Sequence, residues 1–228
     1  MRGSNILQSL HNKNWQLHDV RHSAAEMHDL DLAAERGIWN VEILGSALVL
    51  GSSQRDEVVN LDVCARDEVA VVHRRSGGGV VYLAGGEQLW VDVVIPRGDD
   101  LWTDDVVTSP LWLGDAWSRA LTALGMPLLS VHRRPSVPSK WSRLICFAGV
   151  GPGEVLTKGV KVVGISQRRT RALARFQCIV HSKWSPERFL PLLAEPRPRL
   201  DEICDGVGVV DREPSQLLAA FVAELIKL

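Results

Sequence analysis

Apolar residues recur along this chain in short bursts, and the period of the bursts changes from place to place. In "LWVDVVIP", residues 89–96, Leu89, Val91, Val93 and Ile95 alternate with Trp90, Asp92 and Val94, the period-2 mark of a strand with one wetter face. Shorter runs predict further strands at "IWNVEIL" (38–44), "SALVLG" (46–51), "VAVVH" (69–73), "VVYL" (80–83), "RLICFAG" (143–149), "VKVVGIS" (160–166) and "ARFQCIVH" (174–181). Three stretches read as helices instead. "HSAAEMHDLDLAAERG" opens with Ser23 and Glu26 in capping-box spacing and closes on Gly37, which predicts a helix over 23–36. "SPLWLGDAWSRALTALG" ends at Gly125, and "EPSQLLAAFVAELIKL" is amphipathic with Pro214 in its first turn. The breaks "RRPSVPSKWS" (133–142) and "EPRPRLDE" (195–202) are loops within one unit, because strands continue after the first. The expected fold is α+β with a mixed, mostly antiparallel sheet, and one domain over residues 1–228.

Composition narrows the class. A hydrophobic fraction of 46% and a charged fraction of 23% are ordinary for a soluble globular chain of 228 residues. The net charge of −1 gives no field that would imply nucleic acid or an anionic membrane. No apolar run approaches a spanning helix, and the opening "MRGSNILQSLHNKNWQLHD" lacks the apolar core of a secretory signal. Cys64, Cys146, Cys178 and Cys204 show no CxxC spacing, so no metal site is expected. A cytoplasmic, reduced protein fits these features.

Two stretches carry candidate chemistry. Between two strands, Arg74, Arg75 and Ser76 run into Gly77, Gly78 and Gly79. Such a run is either a flexible turn or a loop whose backbone lies against an oxyanion, with arginines as fork-shaped donors. Neither GxxxxGK[ST] nor GxGxxG is present, since "GVGPGE" (149–154) fails the second at its last position. In "KGVKVVGISQRRTRALARFQC" (158–178), Lys161 is a solvated strand lysine or one presented to a pocket, and Gly164 marks a bend or a close ligand approach. Arg168, Arg169, Arg171 and Arg175 form a solvated face or a dock for an acidic partner.

Together "ALVLGSSQRDEVVNLDVCARDEVAVVHRRSGGGVVY" and "KVVGISQRRTR" resemble the catalytic domain of lipoate–protein ligases and their octanoyltransferase relatives, over about residues 20–190. The resemblance implies the biotin/lipoate ligase fold, related to class II tRNA synthetase cores. It implies that residues 74–79 wall the tunnel for an acyl chain and that Lys161 lies beside the acyl carbonyl, where an ammonium stabilises a developing oxyanion. Gly164 belongs to the same Lys-x-x-Gly motif, and Asp92 is a candidate for pocket polarity or a solvent-facing aspartate. The family's chemistry comes in two forms. A ligase uses ATP and magnesium to form an acyl-adenylate, and a transferase passes an activated acyl group through a cysteine without either. Cys146, fifteen residues before Lys161, resembles the nucleophile of the ligase-like transferases, with Lys161 favouring its thiolate; otherwise it is a small core residue.

The implied acceptor is a lysine on a lipoyl carrier domain of a 2-oxoacid dehydrogenase or a glycine cleavage protein. An acyl carrier protein or a separate accessory protein is a further expected partner. The sequence departs from the family where "RFQCIV" replaces a His-Gly pair and where "SGGGVVYLAGGEQ" does not reproduce the loop of the other octanoyltransferase branch. The Gly-Arg-Gly-Arg loop of biotin ligases is missing, which argues against biotin. About 40 residues follow the resemblance, too few for the accessory domain many ligases carry, and this tempers the ligase reading. A non-catalytic module that binds an acyl group or a nucleotide is the competing class.

Overall fold

The computed structural model describes residues 15–203 and 206–228. The beginning of the chain, from which the missing secretory signal was read, and Cys204 lie outside the described residues. Seven strands make the larger sheet: β1 (Gln16–His22), β2 (Gly37–Ile43), β6 (Gln88–Pro96), β10 (Leu173–His181), β9 (Val160–Arg169), β8 (Val155–Thr157) and β7 (Leu129–Val131), in that spatial order. Only the β1–β2 pair is parallel. A second sheet of three strands places β3 (Ser46–Leu50) between β4 (Val69–His73), parallel to it, and β5 (Val81–Ala84), antiparallel. The mixed, mostly antiparallel α+β fold expected from the sequence is therefore present.

The layers follow from the period-2 side chains of β6. Leu89, Val91, Val93 and Ile95 face one way and join a core with α3 (Leu111–Ala123) and α6 (Pro214–Leu225), where Trp117 stacks on Phe221 at 3.8 Å. Trp90 and Val94 face the other way, into a second core shared with β3, β4 and β5. A third core lies beyond the small sheet, against α2 (Leu61–Arg66) and residues 189–193. The expected wetter face of 89–96 is thus buried, because the small sheet covers it: Asp92 is 0% exposed.

Two other expectations are corrected. The first helix, α1 (Ala24–Asp29), has the capping box between Ser23 and Glu26 but stops at Leu30, and Gly37 opens β2 rather than capping a helix. Its end is set by a tertiary contact: Arg175 donates to the carbonyls of Met27 and Leu30, at 2.7 and 3.2 Å. The "RLICFAG" run is not a strand. Cys146–Ala148 form one 3₁₀ turn, tied to the small sheet by a single bridge between Ile145 and Val80. The two short helices α4 (Pro186–Phe189) and α5 (Leu200–Ile203) complete the set. Among the described residues no helix is long and apolar enough to cross a membrane.

Candidate active site

The loop after β4 turns back on itself because glycine permits it at two points. Gly78 has φ +107°, a conformation that side chains rarely adopt. A Cβ on Gly79 would lie 2.6 Å from the Ile145 carbonyl carbon and 2.7 Å from the Cys146 nitrogen, so the loop backbone packs directly on the turn that carries Cys146. From inside, Arg74 staples the loop. It is 4% exposed, and its guanidinium donates to the carbonyls of Gly77, Gly79 and Val49 at 2.9, 2.8 and 3.0 Å. Ser76 is buried as well, its hydroxyl 3.1 Å from that of Ser166 on β9. Arg75 points outward and sits 3.6 Å from Asp29.

Lys161 is not a solvated strand lysine, for it is 3% exposed. Its ammonium donates to the Cys146 carbonyl at 2.7 Å and to both carboxylate oxygens of Glu154 at 3.0 and 2.9 Å. Glu154 is fixed in turn by the amides of Gly151 at 2.6 Å and Ile165 at 3.2 Å. All three ammonium protons are accounted for, and among the described residues none goes to the Cys146 thiol. Glu154 is not among the residues that the sequence motifs single out, although it stands in "GVGPGE", which fails the dinucleotide-loop pattern. Its position next to a glycine-rich turn, seven residues before Lys161, was the available signal.

Two spaces meet at these residues. An apolar slot of about 40 Å³ lies between the two sheets, its walls including Val49, Val81, Leu83, Phe147, Gly164 and Ile179. A wider cleft of about 580 Å³ is lined by Gly77, Gly78 and Gly79, by residues 149–152, and by Glu154 and Lys161. Cys146, Ile165 and Ser166 line both, so they form the threshold between slot and cleft. The structure therefore brings Lys161, Cys146, Ser76, Gly164 and the three glycines together. Arg74 borders the slot while spending its donors on the loop, and Arg75 lines neither space.

The remaining candidates resolve into pairs. Asp92 faces neither solvent nor cleft: Arg175 donates to it from Nε at 2.6 Å and Trp90 from Nε1 at 2.7 Å. Burial pushes the Asp92 carboxyl above the usual carboxylate range, and the Arg175 charge opposes that. Of the arginine run, Arg175 is buried and Arg169 lies over the Trp102 ring at 4.0 Å, leaving Arg168 half-buried and Arg171 exposed. Cys178 is fully buried and its thiol pushed up by burial, as suits a core residue. No group of three or more His, Cys, Asp or Glu able to hold a metal occurs among the described residues.

The family model for the lipoyl protein ligase A/B catalytic domain matches residues 32–217. Among solved structures, a bi-partite lipoate protein ligase of Thermoplasma acidophilum is similar at TM-score 0.68 and 14% identity, with 94% of this chain and 83% of that chain covered. A lipoate-protein ligase A bound with ATP is similar at TM-score 0.68 and 15% identity, covering 94% of this chain and 84% of that one. The LipL1 of P. falciparum in complex with lipoate follows at TM-score 0.63 and 12% identity, with 93% and 62% covered. At such identities these likenesses establish the fold. No curated protein matches the chain.

Proposed function

As the chain belongs to the lipoyl protein ligase A/B catalytic domain family, an enzyme family whose general task is lipoyl attachment, we propose that it joins a lipoyl or octanoyl group to a lysine of a lipoyl carrier domain. The observation that carries this reading is the placement of Lys161, a buried ammonium where an apolar slot opens into a cleft. The slot takes the hydrocarbon tail and leaves the carboxyl at the threshold. The cleft, within the size range of small-molecule sites, takes the activating group.

In the ligase form the acid's carboxylate oxygen attacks the α-phosphorus of ATP, releasing pyrophosphate and leaving an acyl-adenylate. The neutral amine of the carrier lysine then attacks the acyl carbonyl, the amide forms as the nitrogen gives up a proton to solvent, and AMP leaves with the bonding electrons. Lys161 supplies charge where the oxyanion develops in that second step by turning a proton from the Cys146 carbonyl to the substrate oxygen, a stabilisation that is large in a water-poor site. Glu154 keeps the ammonium in place. The bi-partite description of the Thermoplasma relative and the ATP bound to another relative support a ligase. The E2 lipoyl domain named with the former supports a lipoyl carrier as acceptor.

A second reading rests on Cys146, whose side chain lines both slot and cleft. In it the thiolate attacks a carrier-bound thioester, the carrier thiol departs, and the lysine amine displaces the cysteine to give the amide and a free thiol. Intact mass of an apo lipoyl domain separates the two. Wild type and Cys146→Ser are incubated with lipoate, ATP and magnesium, and separately with octanoyl-carrier protein. Acylation that needs ATP and survives Cys146→Ser establishes the ligase. Acylation that needs the carrier and the cysteine establishes the transferase. If neither mixture modifies the domain, the proposed activity is wrong.

A further inference from the structure

The closed end of the slot is built from residues that the acyl-transfer chemistry does not use. The mouth lies on β9, where Ile165 and Ser166 also border the cleft. β10 and then β6 succeed β9 across the sheet, and with strands about 4.8 Å apart, β6 stands roughly 10 Å inward. There Trp90 lines the slot, and His28 of α1 packs on it with ring centroids 5.2 Å apart. Both rings are nearly inaccessible from outside, at 1% and 7% exposure.

An unusual amount of buried polar machinery holds the His28 ring. Asp92 fixes Arg175, and Arg175 donates to the carbonyls of Met27 and Leu30, on either side of His28 in the chain. Gln177 reaches Asp92 Oδ2 and His28 Nδ1 from its amide nitrogen, each at 3.4 Å, so Nδ1 serves as an acceptor. Burial first, then the charges of Arg175 and Arg74, pull His28 down to about 3, which keeps the end of an apolar slot uncharged. A buried ion pair is a poor source of net stability, since desolvation offsets its attraction. What Asp92, Arg175 and Gln177 achieve together is the position of one short helix and the ring it carries.

We infer that His28, backed by Trp90, is the end stop of the acyl slot and sets the length of straight chain that the protein accepts. The inference rests on the proposed placement of the acyl chain in this slot. Strand spacing sets Trp90 and His28 roughly 10 Å from the mouth, about the reach of an octanoyl chain, and because the slot is only about 40 Å³ its side chains must part to admit one. Shortening the ring to a methyl lengthens the slot by the volume the ring fills while leaving Lys161, Glu154 and Cys146 untouched.

The test is calorimetric binding of octanoyl, decanoyl and dodecanoyl chains to the full chain, each offered as the free acid and as the pantetheine thioester. Wild type is expected to prefer octanoyl over dodecanoyl by at least about tenfold, the order expected when a pocket rejects added methylenes. His28→Ala is expected to equalise or reverse that order, and His28→Phe, which restores an aromatic ring, to keep it. If His28→Ala weakens all lengths alike, or preserves the wild-type order, the end stop is refuted while the slot reading stands. If no chain binds wild type in either form, the slot reading fails and the end stop fails with it.

Discussion

The ammonium of Lys161 lies between both carboxylate oxygens of Glu154, at 3.0 and 2.9 Å, with each side chain less than 6% exposed. An ion pair this deep is costly to form and costlier to break, because removing one partner strands the other charge without water.

Lys161→Ala is expected to abolish transfer to a lipoyl domain. Glu154→Gln is expected to cost roughly 3–5 kcal/mol of stability and most of the transfer rate. The double change Lys161→Met with Glu154→Gln removes both charges, so denaturant titration should recover much of that stability while transfer stays absent. Wild-type turnover by the double variant would show that the ammonium has no part in the reaction.

The two loop arginines should separate cleanly. Arg74→Ala leaves carbonyls of Val49, Gly77 and Gly79 without their donor, and the loss should be at least about 3 kcal/mol, at 1–3 kcal/mol per unsatisfied group. Arg75→Ala should change the unfolding midpoint hardly at all, as its contact with Asp29 is exposed. Equal midpoints for the two variants would mean that the loop is not stapled from within.

Acid should destabilise the protein before its carboxylates titrate. His28 and His181 ordinarily titrate near 6.5 and are pulled down to about 3 and about 4, burial being the main cause and Lys161 adding to it for His181. The unfolded chain therefore binds protons first as pH drops below 6.5. The stability that both histidines contribute is complete above that pH and is lost as it falls toward 4. Two protons of difference give a limiting slope of about 2.7 kcal/mol per pH unit. Urea midpoints between pH 7 and pH 5 measure it, and His28→Phe should remove about half; a flat profile would contradict the buried neutral rings.

Docking of an acidic carrier domain would use cations at the surface, among them Arg75, whose exposed pair with Asp29 an acidic partner can replace. Burial lowers the Arg168 guanidinium, and the charges of Arg75 and Arg175 lower it further. Transfer should slow as salt rises past about 0.1 M, where screening reaches roughly 10 Å. Arg75→Ala with Arg168→Ala should flatten that dependence, and an unchanged salt profile would place the acceptor elsewhere.

The strands of the core were legible because alternation and β-branched runs report directly on pleated, buried chain, as at 89–96 and 174–181. What failed were places where a distant partner decides. "RLICFAG" has strand composition, but only one bridge awaits it, so it closes into a turn. The helix at 24–29 stops where Arg175 takes its last carbonyls, a contact between positions far apart in sequence. The site was half legible for the same reason. Lys161 and the glycines stand in local motifs, whereas Glu154, His28 and the Asp92–Arg175 pair acquire meaning only once the sheets are stacked. Arg74 stands beside the glycines in sequence, but that its donors go to the carbonyls of Val49, Gly77 and Gly79 emerges only in the fold.

Cys146 joins its surroundings through both ends of its peptide units. Its N–H donates to the Val80 carbonyl just after the glycine loop, at 3.0 Å, and its carbonyl receives the Lys161 ammonium at 2.7 Å. Glycine loop, cysteine turn and lysine are thereby one mechanical linkage with a single pin. A push on the loop by an arriving nucleotide or carrier domain would be felt at the ammonium without any side chain relaying it. The amides of Val80 and Cys146 should then exchange their hydrogens as one cooperative unit, opening together or not at all.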